Sequence, residues 1–144
     1  MRLSRHTDYA LRVLIHLAVR PERRASIAEI ARTYAISENH LMKVVHLLGR
    51  AGFIRTTRGR GGGITLALPA EQISIGAVVR HTERDHALAD CHTCLIAPAC
   101  GLTGVLGEAF EAFLGVFDRY TLADISRRRL DLSVLLGLEP TEAA

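Results

Sequence analysis

The chain has 144 residues, 49% of them apolar and 23% charged, which excludes a disordered chain and suits one domain, or a small domain with an attached arm. Its net charge of +3 hides an asymmetry: residues 1–69 carry twelve Arg or Lys against four Asp or Glu, and residues 70–144 carry six against eleven. A basic head fit for a polyanion is joined to an acidic body with another task, although basic charge alone can equally be a solvated face. The opening Met1-Arg2-Leu3-Ser4-Arg5-His6 lacks the apolar core of a signal peptide. The longest uncharged run, Cys91 to Gly107, contains Pro98, three glycines and the cysteines, so it is a poor membrane span and a cytoplasmic protein is expected.

From Ser4 to Ala18 the apolar residues Ala10, Leu11, Leu14, Leu17 and Ala18 recur at helical spacing, until Pro21 and Glu22-Arg23-Arg24 break the pattern. Ser26-Ile27-Ala28-Glu29 reads as a capping box opening a short helix with Ile27, Ile30 and Ala31 on its buried stripe. Ala35-Ile36 connects it to Ser37, the N-cap of a third helix that runs to about Ala51, with Leu41, Val44, Leu48 and Ala51 facing inward and Gly52 ending it. Two short helices across a tight turn form a helix-turn-helix. Phe53 to Thr57 then has strand character, Arg58 to Gly63 supplies a turn, and Ile64 to Leu68 alternates as a return strand. Together these predict a winged helix-turn-helix over residues 1–69.

Past Pro69 the pattern predicts a connecting helix from Ser74 to about Glu83, then a cysteine loop from Asp90 to Cys100, within a linking region of residues 70–101. From Leu102 to Tyr120 a long helix shows Leu102, Val105, Leu106, Ala109, Phe113, Val116, Phe117 and Tyr120 at steps of three and four. At about 1.5 Å per residue it is a rod of roughly 28 Å, too long for so small a head to bury. A second copy of the chain is the cheapest cover, so residues 102–144 are expected to dimerise about a two-fold axis. Thr121 to Asp124 resembles a new cap and short helix, and the tail from Leu130 to Leu138 is apolar enough to dock. The expected fold class is mainly α with a small β-hairpin wing.

In a helix-turn-helix the second helix sets its first turns against base edges. Here those turns carry Ser37, Asn39, His40 and Lys43: Asn39 can pair with adenine, His40 can reach a base or phosphate, and Lys43 can neutralise a phosphate. At the wing, Arg58 and Arg60 flank Gly61 and Gly62, which allow a sharp turn and close approach to a duplex, and an arginine at a hairpin tip fits a narrow minor groove. Cys91, Cys94 and Cys100 lie within ten residues of an otherwise cysteine-free chain. In a reducing compartment, an odd and local thiol set favours a metal or iron–sulfur centre over structural disulfides. Zinc completed by His81, His86 or His92 and an iron–sulfur cluster both fit this spacing. No constellation points to an enzyme.

These residues resemble the NsrR and IscR family of dimeric iron–sulfur winged-helix transcription factors. The resemblance runs from Met1 to about Leu136 and rests on His6-Thr7-Asp8-Tyr9-Ala10-Leu11-Arg12, the wing Arg58-Gly59-Arg60-Gly61-Gly62-Gly63-Ile64, and the three cysteines. The NsrR branch fits best, through Ser37-Glu38-Asn39-His40, Pro98-Ala99-Cys100 and Asp118-Arg119-Tyr120-Thr121-Leu122-Ala123-Asp124. The resemblance implies a repressor that binds a palindromic operator on double-stranded DNA and whose cluster, [4Fe-4S] in preference to [2Fe-2S], reacts with nitric oxide and frees nitric-oxide stress genes. It also implies a fourth ligand from the first helix of the other subunit, matching Asp8. One departure is that only two residues separate Cys91 from Cys94, fewer than is usual in the family. The rival expectations are an iron–sulfur-status or redox regulator of the same family, a DNA-binding protein with structural zinc, and a small electron carrier.

Overall fold

The computed structural model describes residues 2–84 and 87–138. Helix α1 (Arg5–Val19) starts at Ser4, whose hydroxyl accepts from the Thr7 amide, and buries Ala10, Val13, Leu14, Leu17 and Ala18. Each large apolar side chain so enclosed contributes about 2 kcal/mol. Helix α2 (Ile27–Tyr34) is capped by Ser26, whose Oγ accepts from the Glu29 amide at 3.1 Å. The expected capping box is only half formed. The Glu29 carboxylate turns away from the Ser26 amide because Arg23 donates to it at 2.8 Å. Ile30 and Ala31 fill the core as expected, and Ile27, half-buried, packs against it while also lining the groove beside the wing.

The turn to the next helix passes through Ala35 at φ +53°, with its amide bonded back to α2. No sequence pattern marked this left-handed position, because alanine occupies it rather than glycine. An Ala35→Gly substitution is therefore expected to stabilise the protein by about 0.5–1 kcal/mol, read as a higher urea midpoint at unchanged m. A lowered midpoint would show that Gly's flexibility in the unfolded chain outweighs the relief.

Helix α3 (Glu38–Arg50) is capped by Ser37 and buries Leu41, Val44, Val45 and Leu48. Ala51, expected on its inner face, is the helix C-cap and only half-buried, and Gly52 follows at φ +81°. Strands β1 (Ile54–Thr57) and β2 (Gly63–Leu66) pair antiparallel, Ile54 opposite Leu66 and Thr57 opposite Gly63. They are shorter than expected because Phe53, Ala67 and Leu68 lie outside the ladder. Ala25 and Ile64 exchange backbone hydrogen bonds of 3.1 and 2.8 Å, so the wing is stitched to the start of the helix-turn-helix. A Cβ on Gly63 would lie 2.9 Å from the Ala25 carbonyl oxygen, so glycine is required there.

Helix α4 (Ile75–Thr82) and helix α5 (Leu102–Phe117) form a hairpin with the cysteine loop at its far end. Arg80 and Asp118 tie the two helices at the near end, where Gly76 leaves room for the Asp118 carboxylate. Below them the chain returns to its point of departure: the Ile75 amide donates to the Tyr120 carbonyl at 3.0 Å and the Leu122 amide to Ile73 at 2.8 Å. That return is why α5 stops at Phe117 rather than Tyr120. Helix α6 (Leu122–Ile125) follows from Thr121, which forms a complete capping box with Asp124. Helix α7 (Arg129–Leu135) ends at Gly137. Buried residues from Ala10 to Leu122 make one continuous core, to which α1, α3, α4 and α6 all contribute.

The long stripe expected on α5 divides into two faces. Phe110, Phe113, Leu114 and Phe117 lie inward, while Leu102, Val105, Ala109, Ala112 and Val116 are exposed. The tail buries Ser133 and Leu138, half-buries Leu132 and Leu136, and leaves Leu130, Val134 and Leu135 exposed. No helix among the described residues is long and apolar enough to cross a membrane.

Candidate nucleic-acid interface and thiol loop

The exposed side of α3 and the outer strand of the wing form one groove of about 1060 Å³. Asn39, Lys43 and Arg58 line it together, joined by Met42, His46 and Thr56, which the sequence reading did not single out. The spacing of Asn39, Met42, Lys43 and His46 on one helix face was the signal available for them. Ser37 is a cap first, since its Oγ accepts from the His40 amide at 3.2 Å. His40, expected on the exposed face, is half-buried with its ring edge-on to Tyr9 at 4.8 Å.

Arg58 and Arg60 are exposed on the turn. Gly61 sits at φ +73°, and its carbonyl accepts from Arg24 at 2.7 Å, an anchor that sequence reasoning missed. Gly62 is a turn residue by necessity: its amide donates to Gly59 at 2.9 Å, and the space for a Cβ is taken by the Thr57 and Gly59 carbonyls.

A second groove of about 750 Å³ lies beside Lys43 and is lined by His6, His46, Arg50, His81 and Arg84. It extends the basic surface from α3 to the amino terminus of α1. The His6 pKa is lowered by burial and then by the neighbouring His40 and Arg84. In the wall of this groove the Glu83 carboxylate is buried and accepts from the Ser4 amide at 2.9 Å and from the Thr7 hydroxyl at 2.6 Å. The last residue of the α4 cap thus holds the start of α1, where a carboxylate also suits the helix dipole.

The cysteine loop is built from tight turns. Asp90 accepts from the Thr93 hydroxyl at 2.9 Å, which lowers its pKa and fixes the Cys91–Cys94 turn. The Cys100 amide donates to Ala97 at 3.3 Å, closing a 3-10 turn just before α5. All three thiols are unbridged; Cys94 is exposed and the other two half-buried. Cys91 borders a cleft of about 370 Å³ over Leu106 and Phe110 and receives a weak bond from Thr103 at 3.9 Å. The donor chemistry suits a soft metal or an iron–sulfur cluster, because sulfur is a soft ligand and these thiols are accessible rather than enclosed in the core. The loop does not by itself curl the three sulfurs around one centre. Among the described residues no three of His, Cys, Asp and Glu are gathered closely enough to hold a metal.

Asp8 lies on α1, its carboxylate held at both oxygens by Arg12, at 3.0 and 2.9 Å. Within one chain it is the partner of Arg12. Of the candidate zinc histidines, His81 packs edge-on to Phe53 in the basic groove and His92 is exposed on the loop, while His86 lies outside the described residues.

A capped recognition helix beside an arginine-bearing wing defines a winged helix-turn-helix DNA-binding regulator. The chain belongs to the Rrf2 family, described as iron-dependent transcriptional regulators, which matches residues 3–128. It is 49% identical over 145 residues to the HTH-type transcriptional regulator NsrR of Bacillus subtilis (strain 168), across 96% of this chain and 99% of that one. Its fold is similar to that of CymR, the global cysteine regulator of B. subtilis, with a TM-score of 0.71 and 26% identity over 89% of this chain and 98% of that one. It is likewise similar to T. potens IscR, with a TM-score of 0.73 and 25% identity over 89% and 88% of the two chains. The protein is a transcriptional regulator of the NsrR type and not an enzyme.

Proposed function

We propose that this regulator is a cytoplasmic, homodimeric repressor whose iron–sulfur cluster reacts with nitric oxide and so releases a palindromic operator of nitric-oxide stress genes. Cys91, Cys94 and Cys100 supply three ligands, Asp8 of the partner subunit supplies the fourth, and a [4Fe-4S] cluster is favoured over [2Fe-2S]. The observation that carries this reading is three unbridged, accessible thiols within ten residues, outside the core of an iron-dependent regulator family. A carboxylate is a harder and weaker ligand for a cluster iron than a thiolate, which makes that fourth position labile and displaceable by a small diatomic molecule.

The exposed face of α5 supports the dimer. Leu102, Val105, Ala109, Ala112 and Val116 follow alternating steps of three and four residues, the spacing of a coiled-coil seam. A second copy related by a two-fold axis covers that seam with its own. It also gives the two recognition helices the symmetry of a palindromic site. On this reading residues 1–69 are the DNA-binding unit, 70–101 the cluster-bearing link and 102–144 the dimerisation unit.

Protein purified without oxygen is expected to be coloured and to contain iron and sulfide, and nitric oxide should bleach it and release operator DNA. Stoichiometric zinc in iron-replete preparations would favour a structural metal instead. Asp8→Ala should make the cluster labile and Asp8→Cys should restore it. If the Ala variant assembles the same cluster, binds operator equally and releases it equally on nitric oxide, Asp8 is only the partner of Arg12.

A further inference from the structure

We infer that a pocket of about 450 Å³ between α2 and the end of α7 is a binding site for a small oxyanion, of the phosphate, sulfate or carboxylate class. Arg20, Arg23 and Arg32 line it with Ser26 and Thr33, and Leu136-Gly137-Leu138 forms the opposite wall. That wall is fixed. Gly137 turns at φ +63°, the Leu138 amide donates to Ser133 at 2.9 Å, and the Ser133 hydroxyl donates to the Leu138 carbonyl at 2.8 Å.

The positive charge in this pocket is only partly answered. Glu29 also lines it and neutralises Arg23 at 2.8 Å. Arg20 and Arg32 form no ion pair among the described residues, and Arg20 Nη2 is buried with no hydrogen-bond partner there. A buried guanidinium donor without a partner is costly, and the Arg20 side chain that carries it lines the pocket. Two planar guanidinium groups present paired donors that match carboxylate and phosphate oxygens. The Ser26 hydroxyl accepts from the Glu29 amide, which leaves its own proton free to donate.

The volume falls in the range of small-molecule sites, but the lining is too polar for an apolar ligand. A neighbouring void of about 10 Å³, lined by His16, Arg20 and Leu138, has room for one water at most, so the anion belongs in the outer pocket. No residue of this pocket lines the groove of Asn39, Lys43 and Arg58, so a duplex phosphate at that groove does not fill it. The bound anion would join the C-terminal segment to the first helix of the helix-turn-helix. This site is independent of the thiol loop and of nitric oxide.

Inorganic phosphate is the probe. Calorimetric titration of the full chain, with chloride holding ionic strength constant, should show one saturable phosphate site. Arg32→Gln and Arg20→Gln should each weaken it by about tenfold or more, the loss of one charge-assisted hydrogen bond. Arg32 is exposed, so its variant keeps the fold; should far-UV circular dichroism show that Arg20→Gln unfolds, Arg32→Gln alone decides. Absence of saturable binding beyond that of chloride would overturn the site. So would unchanged affinity in Arg32→Gln, or loss of binding in Arg60→Ala with Arg32→Gln intact, which would put the anion on the wing.

Discussion

Asn39→Ala is expected to reduce discrimination between operator and unrelated duplex by about ten- to a hundredfold, while leaving non-specific binding nearly unchanged. Asn39 is exposed in the groove it shares with Lys43 and Arg58. A paired amide contact to adenine carries about 1–3 kcal/mol of base preference and little affinity for the phosphate backbone. Arg60→Ala should do the opposite. It removes a charge at the wing tip, weakens binding to every sequence, and lowers the slope of log affinity against log salt by about one. Fluorescence anisotropy over a salt series, on operator and on a scrambled duplex, separates the two. Unchanged affinity and selectivity in both variants would show that the duplex docks elsewhere.

The second large effect concerns the thiols. Cys94→Ser protein prepared without oxygen should be colourless and should hold its operator more than a hundredfold less tightly, a change of about 3 kcal/mol. Cys94 is exposed and unbridged, so exchanging sulfur for oxygen disturbs no packing. The cluster-free forms of both proteins should therefore unfold at the same temperature, which separates lost ligation from lost folding. Cys91→Ser and Cys100→Ser should match it. If the Cys94 variant keeps the full visible spectrum and full operator affinity, the loop is not the sensor.

Local chemistry was the legible part of this chain. Ser26, Ser37 and Thr121 each cap a helix through a hydroxyl that a sequence can display, and the wing follows from its glycines and alternating strands. What escaped were contacts made by residues distant in sequence. Arg23 taking the Glu29 carboxylate, Arg24 holding the Gly61 carbonyl and Glu83 capping α1 depend on the fold already being in place. The α5 stripe showed an amphipathic helix but not which residues face the core, because apolar residues occupy both sides. Asn39, Lys43 and Arg58 could be named from local pattern, whereas Met42, His46 and Thr56 became visible only when the wing was laid against α3. The thiols were legible as chemistry but not as geometry, since the loop alone does not gather them.

The backbone pairing of Ser74 with Thr121 closes the segment between them into an excursion whose near part, α4 and Leu114, packs in the core while its far end, the cysteine loop, stands away from it. Loop-closure entropy grows only logarithmically, so doubling such an excursion costs about 0.6 kcal/mol. Lengthening or shortening the hairpin's far end therefore leaves the anchorage of the head untouched. The step from Cys91 to Cys94 lies at that far end, so a change in the number of residues between these thiols is expected to leave the DNA-reading surface in register.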